Sequence, residues 1–215
     1  MPSQNDLFAT PSAQNLELAY ADVQLYRAWL PDGEASDLMQ SLVRDLPWEQ
    51  PEIIIAGQRK LIPRLQAWFG DPGANMRYSG RTFFANSWHP KLADLRYRLQ
   101  KETGFKLNSV LVNLYRNGDD SVGWHADDET ELGKRPEIAS LSLGESREFH
   151  LKPKAKEVGA QHNGRMGSTK VLLENGDLLT MAGGTQEHWL HSVPKSTKSN
   201  GQRINLTFRR ILKLA

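Results

Sequence analysis

The segment Gly123-Trp124-His125-Ala126-Asp127 sets an imidazole and a carboxylate two residues apart. In extended chain, positions two apart project to the same side, so both groups can grip one cation. A third ligand from a distant strand would complete a facial triad with coordination positions left open. An isolated His-x-Asp also occurs by chance in surface turns, so the pair acquires meaning only from its company. Among the other histidines, His89 precedes Pro90 at a helix start, His162 lies in a polar loop, and His150 reads as a satisfied strand residue. His188 and His191 flank Trp189-Leu190; His191 shares a strand face with Trp189 and Val193 and is the preferred third ligand, with His188 the alternative.

The C-terminal run Arg203-Ile204-Asn205-Leu206-Thr207-Phe208-Arg209 gives the pair its context. Arg203, Asn205, Thr207 and Arg209 fall on one face of a strand and Ile204, Leu206 and Phe208 on the other. Buried charge must be paired. The face therefore needs an internal carboxylate, an exposed edge position, or a bound anion, and guanidinium is suited to a carboxylate held through two parallel hydrogen bonds. A dicarboxylate that chelates a ferrous ion at one end and meets arginine at the other would satisfy it.

The positioning elements follow from periodicity. Leu38, Leu42 and Leu46 mark a helix from Glu34 that Pro47 stops. Pro90 opens a second helix with Leu92, Leu95 and Leu99 as its stripe and Gly104 at its end. Residues 50–85 look like hairpins and loops. Strands are predicted at Ser109–Arg116, Ile138–Leu143, Phe149–Leu151, Val171–Leu173, Asp177–Met181, Trp189–Val193 and Arg203–Ile211, with 152–169 a long exposed loop. Asn175-Gly176 between two apolar runs predicts a hairpin. Helices followed by strands indicate an α+β chain whose core is a β-sandwich or jelly-roll with outer helices.

Composition narrows the chemistry further. With 215 residues, 39% hydrophobic and 24% charged, the chain suits one domain with a sizeable core. It has no cysteine, which excludes disulfides, thiolate nucleophiles and cysteine-held metals. No apolar run is long enough to span a membrane and no signal peptide is evident, so a cytoplasmic location is expected, although the lack of cysteine would also suit a periplasmic one; a monomer is expected as well. A net charge of +2 says little about partners. Basic residues gather at Arg59, Lys60 and Arg64, at Lys152 to Lys156, and at Lys195 and Lys198, each readable as solvated surface.

Asn113-Leu114-Tyr115, His125-Ala126-Asp127, His191 and the Arg203 to Arg209 run, in that order, resemble the AlkB family of 2-oxoglutarate-dependent dioxygenases. The similarity runs from roughly residue 50 to the C-terminus and includes Pro63-Arg64, Phe69-Gly70-Asp71 and Tyr78-Ser79-Gly80. The resemblance implies a double-stranded β-helix over about 105–215, a nucleotide-recognition lid over about 50–85, and a single catalytic domain over 16–215 after a flexible tail at 1–15. It selects His191 over His188. It implies Fe(II) on His125, Asp127 and His191, with 2-oxoglutarate and O2 as cosubstrates. Asn113, Tyr115, Arg203, Asn205, Thr207 and Arg209 would bind 2-oxoglutarate, with Arg203 at the metal end and Arg209 on the distal carboxylate. The implied substrate is an N-alkylated base in DNA of the 1-methyladenine or 3-methylcytosine type, released as the repaired base with formaldehyde. Tyr78 would stack on the flipped base, Glu129 would contact its exocyclic amine, and Arg64, Arg59 and Lys60 would meet phosphates. Duplex-acting animal relatives carry an aromatic wedge on the lid, where Ile54-Ile55-Ala56-Gly57 is aliphatic or small. Single strands should therefore serve at least as well as duplex. RNA or protein substrates, or a non-catalytic jelly-roll binding module, are the alternatives.

Gln4-Asn5-Asp6-Leu7-Phe8 resembles the short peptides that dock on bacterial DNA sliding clamps, with Gln4, Leu7 and Phe8 as anchors. The alternative is an unconstrained tail, and titrating a peptide of residues 1–15 against a clamp decides between them. Binding that survives Leu7→Ala combined with Phe8→Ala would remove that partner.

Overall fold

The computed structural model describes residues 12–55, 57–78, 81–154 and 167–212. Its centre is a seven-stranded sheet facing a four-stranded one. Strands β1 (Gln14–Asn15) and β2 (Asp22–Tyr26) precede helix α1 (Asp32–Asp45). Hairpin β3 (Glu52–Ile55) and β4 (Gln58–Leu61) is followed by β5 (Leu65–Gly70), then by hairpin β6 (Met76–Tyr78) and β7 (Arg81–Phe83). Helix α2 (Pro90–Thr103) leads to β8 (Ser109–Tyr115), β9 (Val122–His125), β10 (Ile138–Gly144), β11 (Arg147–Pro153), β12 (Thr169–Leu173) and β13 (Leu178–Ala182). A short α3 (Thr185–His188), β14 (Trp189–Val193) and β15 (Arg203–Arg209) complete the described chain. The large sheet runs β1-β2-β13-β10-β15-β8-β5 and the small one β12-β11-β14-β9, with every strand pairing antiparallel.

Each layer follows from its periodicity. Leu38 and Leu42 of α1, with Leu92, Leu95 and Leu99 of α2, pack on the outer face of the large sheet, against Val110, Val112, Leu141, Ile204, Leu206 and Phe208. Gly104 ends α2 in the left-handed region at φ 75°, open to glycine without steric cost. Between the sheets lie Val23, Leu25, Ile138, Leu151, Leu173, Leu179 and Trp189. Both faces of β8, β10 and β15 are thus covered, one by helices and one by the second sheet. These are the best-supported strands in the molecule. No helix among the described residues is long and apolar enough to cross a membrane.

Several expectations need correction. Asn175-Gly176 does not close a hairpin, because β12 pairs with β11 whereas β13 pairs with β10 and β2. The turn carries the chain from one sheet to the other. Gly176, at φ 82°, donates to the Ser142 carbonyl at 2.8 Å, and a Cβ there would lie 2.0 Å from the Leu30 carbonyl oxygen. Gln14–Asn15, assigned to the tail, pair with Leu25 and Gln24. The jelly-roll does not begin near 105, since β1, β2 and β5 all belong to its large sheet. The 50–85 region is accordingly not one continuous lid: two hairpins flank β5, which pairs with β8. The C-terminal strand ends at Arg209. The clamp-like residues Gln4, Leu7 and Phe8, most of the 152–169 segment, and the side chains of Tyr78, Ile54 and Ile55 lie outside the described residues.

The loop between β8 and β9 is held by Asp120, which accepts from the Arg116 backbone N–H at 2.9 Å and from its Nε and Nη2 at 2.8 Å each. Burial would raise the Asp120 carboxyl, but the Arg116 hydrogen bonds outweigh it and the pKa falls below its ordinary 3.8. Ionised Asp120 therefore stabilises the fold at pH values above the unfolded-state pKa, and the contribution disappears as pH drops through the lowered folded value. Asp120→Asn is expected to cost about 1–3 kcal/mol at pH 7 by urea denaturation. The difference from wild type should hold down to about pH 5 and shrink below about pH 4.

Candidate active site

Two imidazoles meet because two strands are in register. His191 of β14 stands directly opposite His125 at the end of β9. Their ring centroids are 4.2 Å apart. His125 Nδ1–H donates to the Gly123 carbonyl at 2.8 Å, which leaves Nε2 free as a lone-pair donor. Phe149 stacks beside His191 at 5.3 Å between centroids. Burial, and then the neighbouring His125, push the His191 pKa down to about 3, so its ring is neutral at physiological pH. A neutral imidazole is the form a metal requires.

Asp127 lies in the turn just beyond β9 and is buried. Its Oδ1 accepts from Arg209 Nη1 at 3.0 Å, and Oδ2 lies 3.9 Å from His191 Nε2. Burial would raise this carboxyl, but Arg209, then His191 and His125, more than offset it, and Asp127 is held ionised below its ordinary range. One donor atom from each of His125, Asp127 and His191 falls within 4.8 Å of the others, a set that could hold a metal ion. Two nitrogens and one carboxylate oxygen with no sulfur suit ferrous iron in an open facial site. His188 sits instead at the end of α3, its ring 5.0 Å from that of Tyr20, and does not line the cleft.

The remaining sequence candidates converge on the same cleft, which is lined by Asn113, Tyr115, Asn205, Thr207, Arg203 and Arg209 among others. Register explains the convergence: Arg203 faces Tyr115 and Asn205 faces Asn113 across β15 and β8. Thr207 donates to Asn205 Oδ1 at 2.9 Å, and Asn205 Nδ2 donates to Ser140 Oγ at 2.8 Å. Arg203 Nη2 donates to Ser142 Oγ at 2.9 Å, and its guanidinium lies 5.2 Å from the Tyr115 ring. Its Nε and Nη1 are buried without a hydrogen-bond partner among the described residues, as is Arg209 Nε. Burial lowers the Arg203 pKa, yet guanidinium starts so high that the group remains a cation. A buried cation with idle donors is a cradle for a carboxylate.

The two arginines are reversed relative to expectation. Arg209, at the end of β15 beside Asp127, is at the metal end, whereas Arg203 lies at the other end with Tyr115. A two-residue period fixes the face of a strand but not its polarity relative to the site. Arg64, expected at phosphates, turns into the cleft wall, where its Nε donates to Asn113 Oδ1 at 2.8 Å. Arg59 and Lys60 do lie exposed on β4. Glu129 lines the cleft with Oε2 buried and unpartnered by hydrogen bonds, 4.0 Å from Arg209 Nη1, and burial raises its pKa. Tyr78 is on β6.

Sequence reasoning missed four participants. Ser140 and Ser142 occupy positions two apart in an apolar strand, the same signal that exposed the arginine face. Arg147 is buried, donating to the carbonyls of Asn117, Asp120 and Pro194 at 3.1, 2.9 and 2.6 Å. Its guanidinium lies 5.6 Å from the Tyr115 ring. Gln186 is buried in α3, and its Oε1 accepts from the Asp127 backbone N–H at 2.9 Å. No motif marks it.

Residues 22–209 match the family model described as the 2OG-Fe(II) oxygenase superfamily. "Alpha-ketoglutarate-dependent dioxygenase alkB homolog 3" of Homo sapiens is 42% identical over 193 residues, covering 88% of this chain and 66% of that protein. "DNA oxidative demethylase ALKBH2" of Arabidopsis thaliana is 35% identical over 221 residues (94% of this chain and 70% of the relative). The Homo sapiens protein of that name is 33% identical over 214 residues (98% and 81%). Among solved structures, OsALKBH1 superposes with a TM-score of 0.62 at 18% identity, over 93% of this chain and 100% of that one, a likeness of fold. The chain belongs to the 2OG-Fe(II) oxygenase superfamily and, within it, to the AlkB family. It spans between 62% and 66% of the length of the alkB homolog 3 relatives.

Because Gln186 fixes the backbone of a metal ligand, Gln186→Leu should weaken divalent-metal binding roughly 10- to 100-fold. Titration with Mn(II) at pH 7.5 would measure it. Unchanged affinity in a folded variant would show that Asp127 is held without it.

Proposed function

We propose that the chain is an Fe(II)- and 2-oxoglutarate-dependent dioxygenase that oxidatively dealkylates bases in DNA, of the 1-methyladenine and 3-methylcytosine type. The observation that carries this reading is one cleft holding both a His125, Asp127, His191 donor set and, beyond it, the buried Arg203 with unused N–H groups. A metal site alone fits many proteins. A metal site facing an unsatisfied buried guanidinium asks for an anionic chelator long enough to reach both.

In this reading His125, Asp127 and His191 hold Fe(II). Arg203 receives the carboxylate of 2-oxoglutarate remote from the metal, with the Tyr115 hydroxyl and Asn113 as neutral partners. Arg209 neutralises and orients Asp127 at the metal end. When bound, the iron would supply oxidising chemistry drawn from O2 and 2-oxoglutarate, which would leave as succinate and carbon dioxide while one oxygen atom passes to the N-alkyl carbon. The hydroxylated methyl group then leaves as formaldehyde: its C–N bond breaks, the electron pair stays on the ring nitrogen, and the hydroxyl proton is lost. Glu129 would accept from the exocyclic amine, and its unpartnered Oε2 supports that role. Tyr78 would stack on the base, and the exposed Arg59 and Lys60 would meet phosphates without reading sequence. A base alkylated on its pairing edge is cheaper to extrude than a normal one.

The test is anaerobic reconstitution with Fe(II), then addition of air, 2-oxoglutarate and oligonucleotides carrying single methylated bases, with mass spectrometry of the product. A net loss of one CH2 unit with formaldehyde and succinate in equal amounts is expected, on single strands at least as fast as on duplex. Arg203→Gln should raise KM for 2-oxoglutarate by about 100-fold, the loss of a buried charged hydrogen-bond partner of about 3 kcal/mol. Asp127→Ala should abolish turnover. Full activity in folded Asp127→Ala would refute the metal assignment, and turnover confined to methylated RNA or peptide would reassign the substrate.

A further inference from the structure

The strand that carries His125 also carries, one residue earlier and therefore on the opposite side, Trp124. His125 points into the cleft between the sheets; Trp124 lies on the outer surface of the small sheet and is 42% exposed. β9 is the terminal strand of that sheet, so the indole is mounted on its outermost strand. Lys152 of β11 extends over it, with Nζ 4.3 Å from the ring centroid, and the His150 ring is 6.3 Å away.

The charges on this surface are unequally matched. Lys154 is taken by Asp128 at 2.6 Å, and Glu148 is shared by His150 at 2.7 Å and Lys170 at 3.5 Å. Lys152 forms no ion pair among the described residues. The uncompensated ammonium group on this patch is thus the one stacked on the exposed indole. An indole face offers stacking to any nucleobase, and an adjacent ammonium offers a counter-charge to the next phosphate. Together they have the chemistry of a single-strand contact.

We propose that Trp124 and Lys152 form a second contact for the substrate strand, outside the catalytic cleft. Trp124 stacks on an unpaired base flanking the alkylated one, and Lys152 meets the adjoining phosphate. The proposal rests on the nucleic-acid reading given above and extends it: affinity for the strand is drawn in part from a neighbour of the lesion, on the outer side of the metal-bearing strand. A duplex, whose flanking bases are stacked and paired, cannot use this platform without being opened.

The experiment uses the full chain loaded with Mn(II) and a labelled 15-nucleotide single strand containing one central 3-methylcytosine, followed by fluorescence anisotropy. A parallel series replaces the flanking bases one at a time by abasic residues. Trp124→Leu should weaken binding of the intact strand about tenfold, the value of one stacked base. Removal of one particular flanking base should weaken wild type by a similar factor and have no further effect on the variant. Lys152→Gln should lower the slope of log affinity against log salt by roughly one. In the Fe(II) enzyme, Trp124→Leu should raise KM for the strand and leave kcat and Mn(II) affinity unchanged. If kcat or metal affinity falls alongside strand affinity, Trp124 serves only to support His125 and the proposal fails. It fails equally if no abasic position masks the substitution. Should wild type turn over the methylated strand normally and both variants match it, the platform alone is refuted. Wild type that neither binds nor demethylates the strand would overturn the substrate class as well.

Discussion

The Asp127 carboxylate is an ionised group with 5% of its surface exposed, and much of the architecture exists to make that tolerable. An unpaired buried charge costs several kcal/mol, so it must be met by an opposite charge and by hydrogen bonds. Arg209 supplies the charge by donating to Asp127 Oδ1, the Asp127 main-chain N–H donates to Gln186 Oε1, and Asp127 Oδ2 is left facing His191. The carboxylate is therefore divided: one oxygen is tied to the large sheet and the other is offered to the metal site. Arg209 is itself anchored at the end of β15, a strand paired on both sides and buried on both faces. The metal position is thereby referenced to the stiffest part of the sandwich, although its ligands lie on and just beyond the short strands of the smaller sheet.

That same strand bears the cost of the second site. Arg203 is desolvated, its Nε and Nη1 unsatisfied, with the Arg147 guanidinium also within 5.6 Å of the Tyr115 ring. Two guanidinium groups around one phenol repel each other, and no carboxylate neutralises Arg203 among the described residues. In energetic terms this is a place where stability is given up for binding. Thr207, Asn205 and Ser140 form a neutral chain of hydrogen bonds, while Ser142 accepts from Arg203 Nη2; together they fix β15 and leave Arg203 Nε and Nη1 without partners.

Period-two alternation revealed the polar face of β15, and a spacing of three and four revealed the helix stripes, because burial of one face is written directly into periodicity; Asn113 and Tyr115 came from the family resemblance. Periodicity did not reveal direction. Which arginine adjoins the metal depends on the turn beyond β9, a long-range fact with no local trace, and so Arg203 and Arg209 were interchanged. The Asn-Gly turn failed for a related reason: turn chemistry reports that the chain bends with φ above zero, not that the flanking strands pair. Val23 and Leu25 alternate with Gln24 and Tyr26, so β2 was legible but overlooked. Gln186 was not legible, since a neutral side chain that binds one backbone N–H leaves no periodicity, charge or motif.

The sandwich has two borders, and only one carries chemistry. β1 and β12 are the terminal strands on one side; β5 and β9 are terminal on the other, and residues on or beside both of the latter line the cleft. A terminal strand exposes unpaired backbone groups and invites association with other strands, a hazard limited by short length, irregular register and charge. β9 has four residues, shifts register against β14 between His191 and Val193, and exposes Gly123. A strand so constrained is a poor template for another sheet but a good mounting for a metal ligand, with no further strand beyond it in its sheet among the described residues. Opening that border therefore requires no strand of the double-covered core to separate.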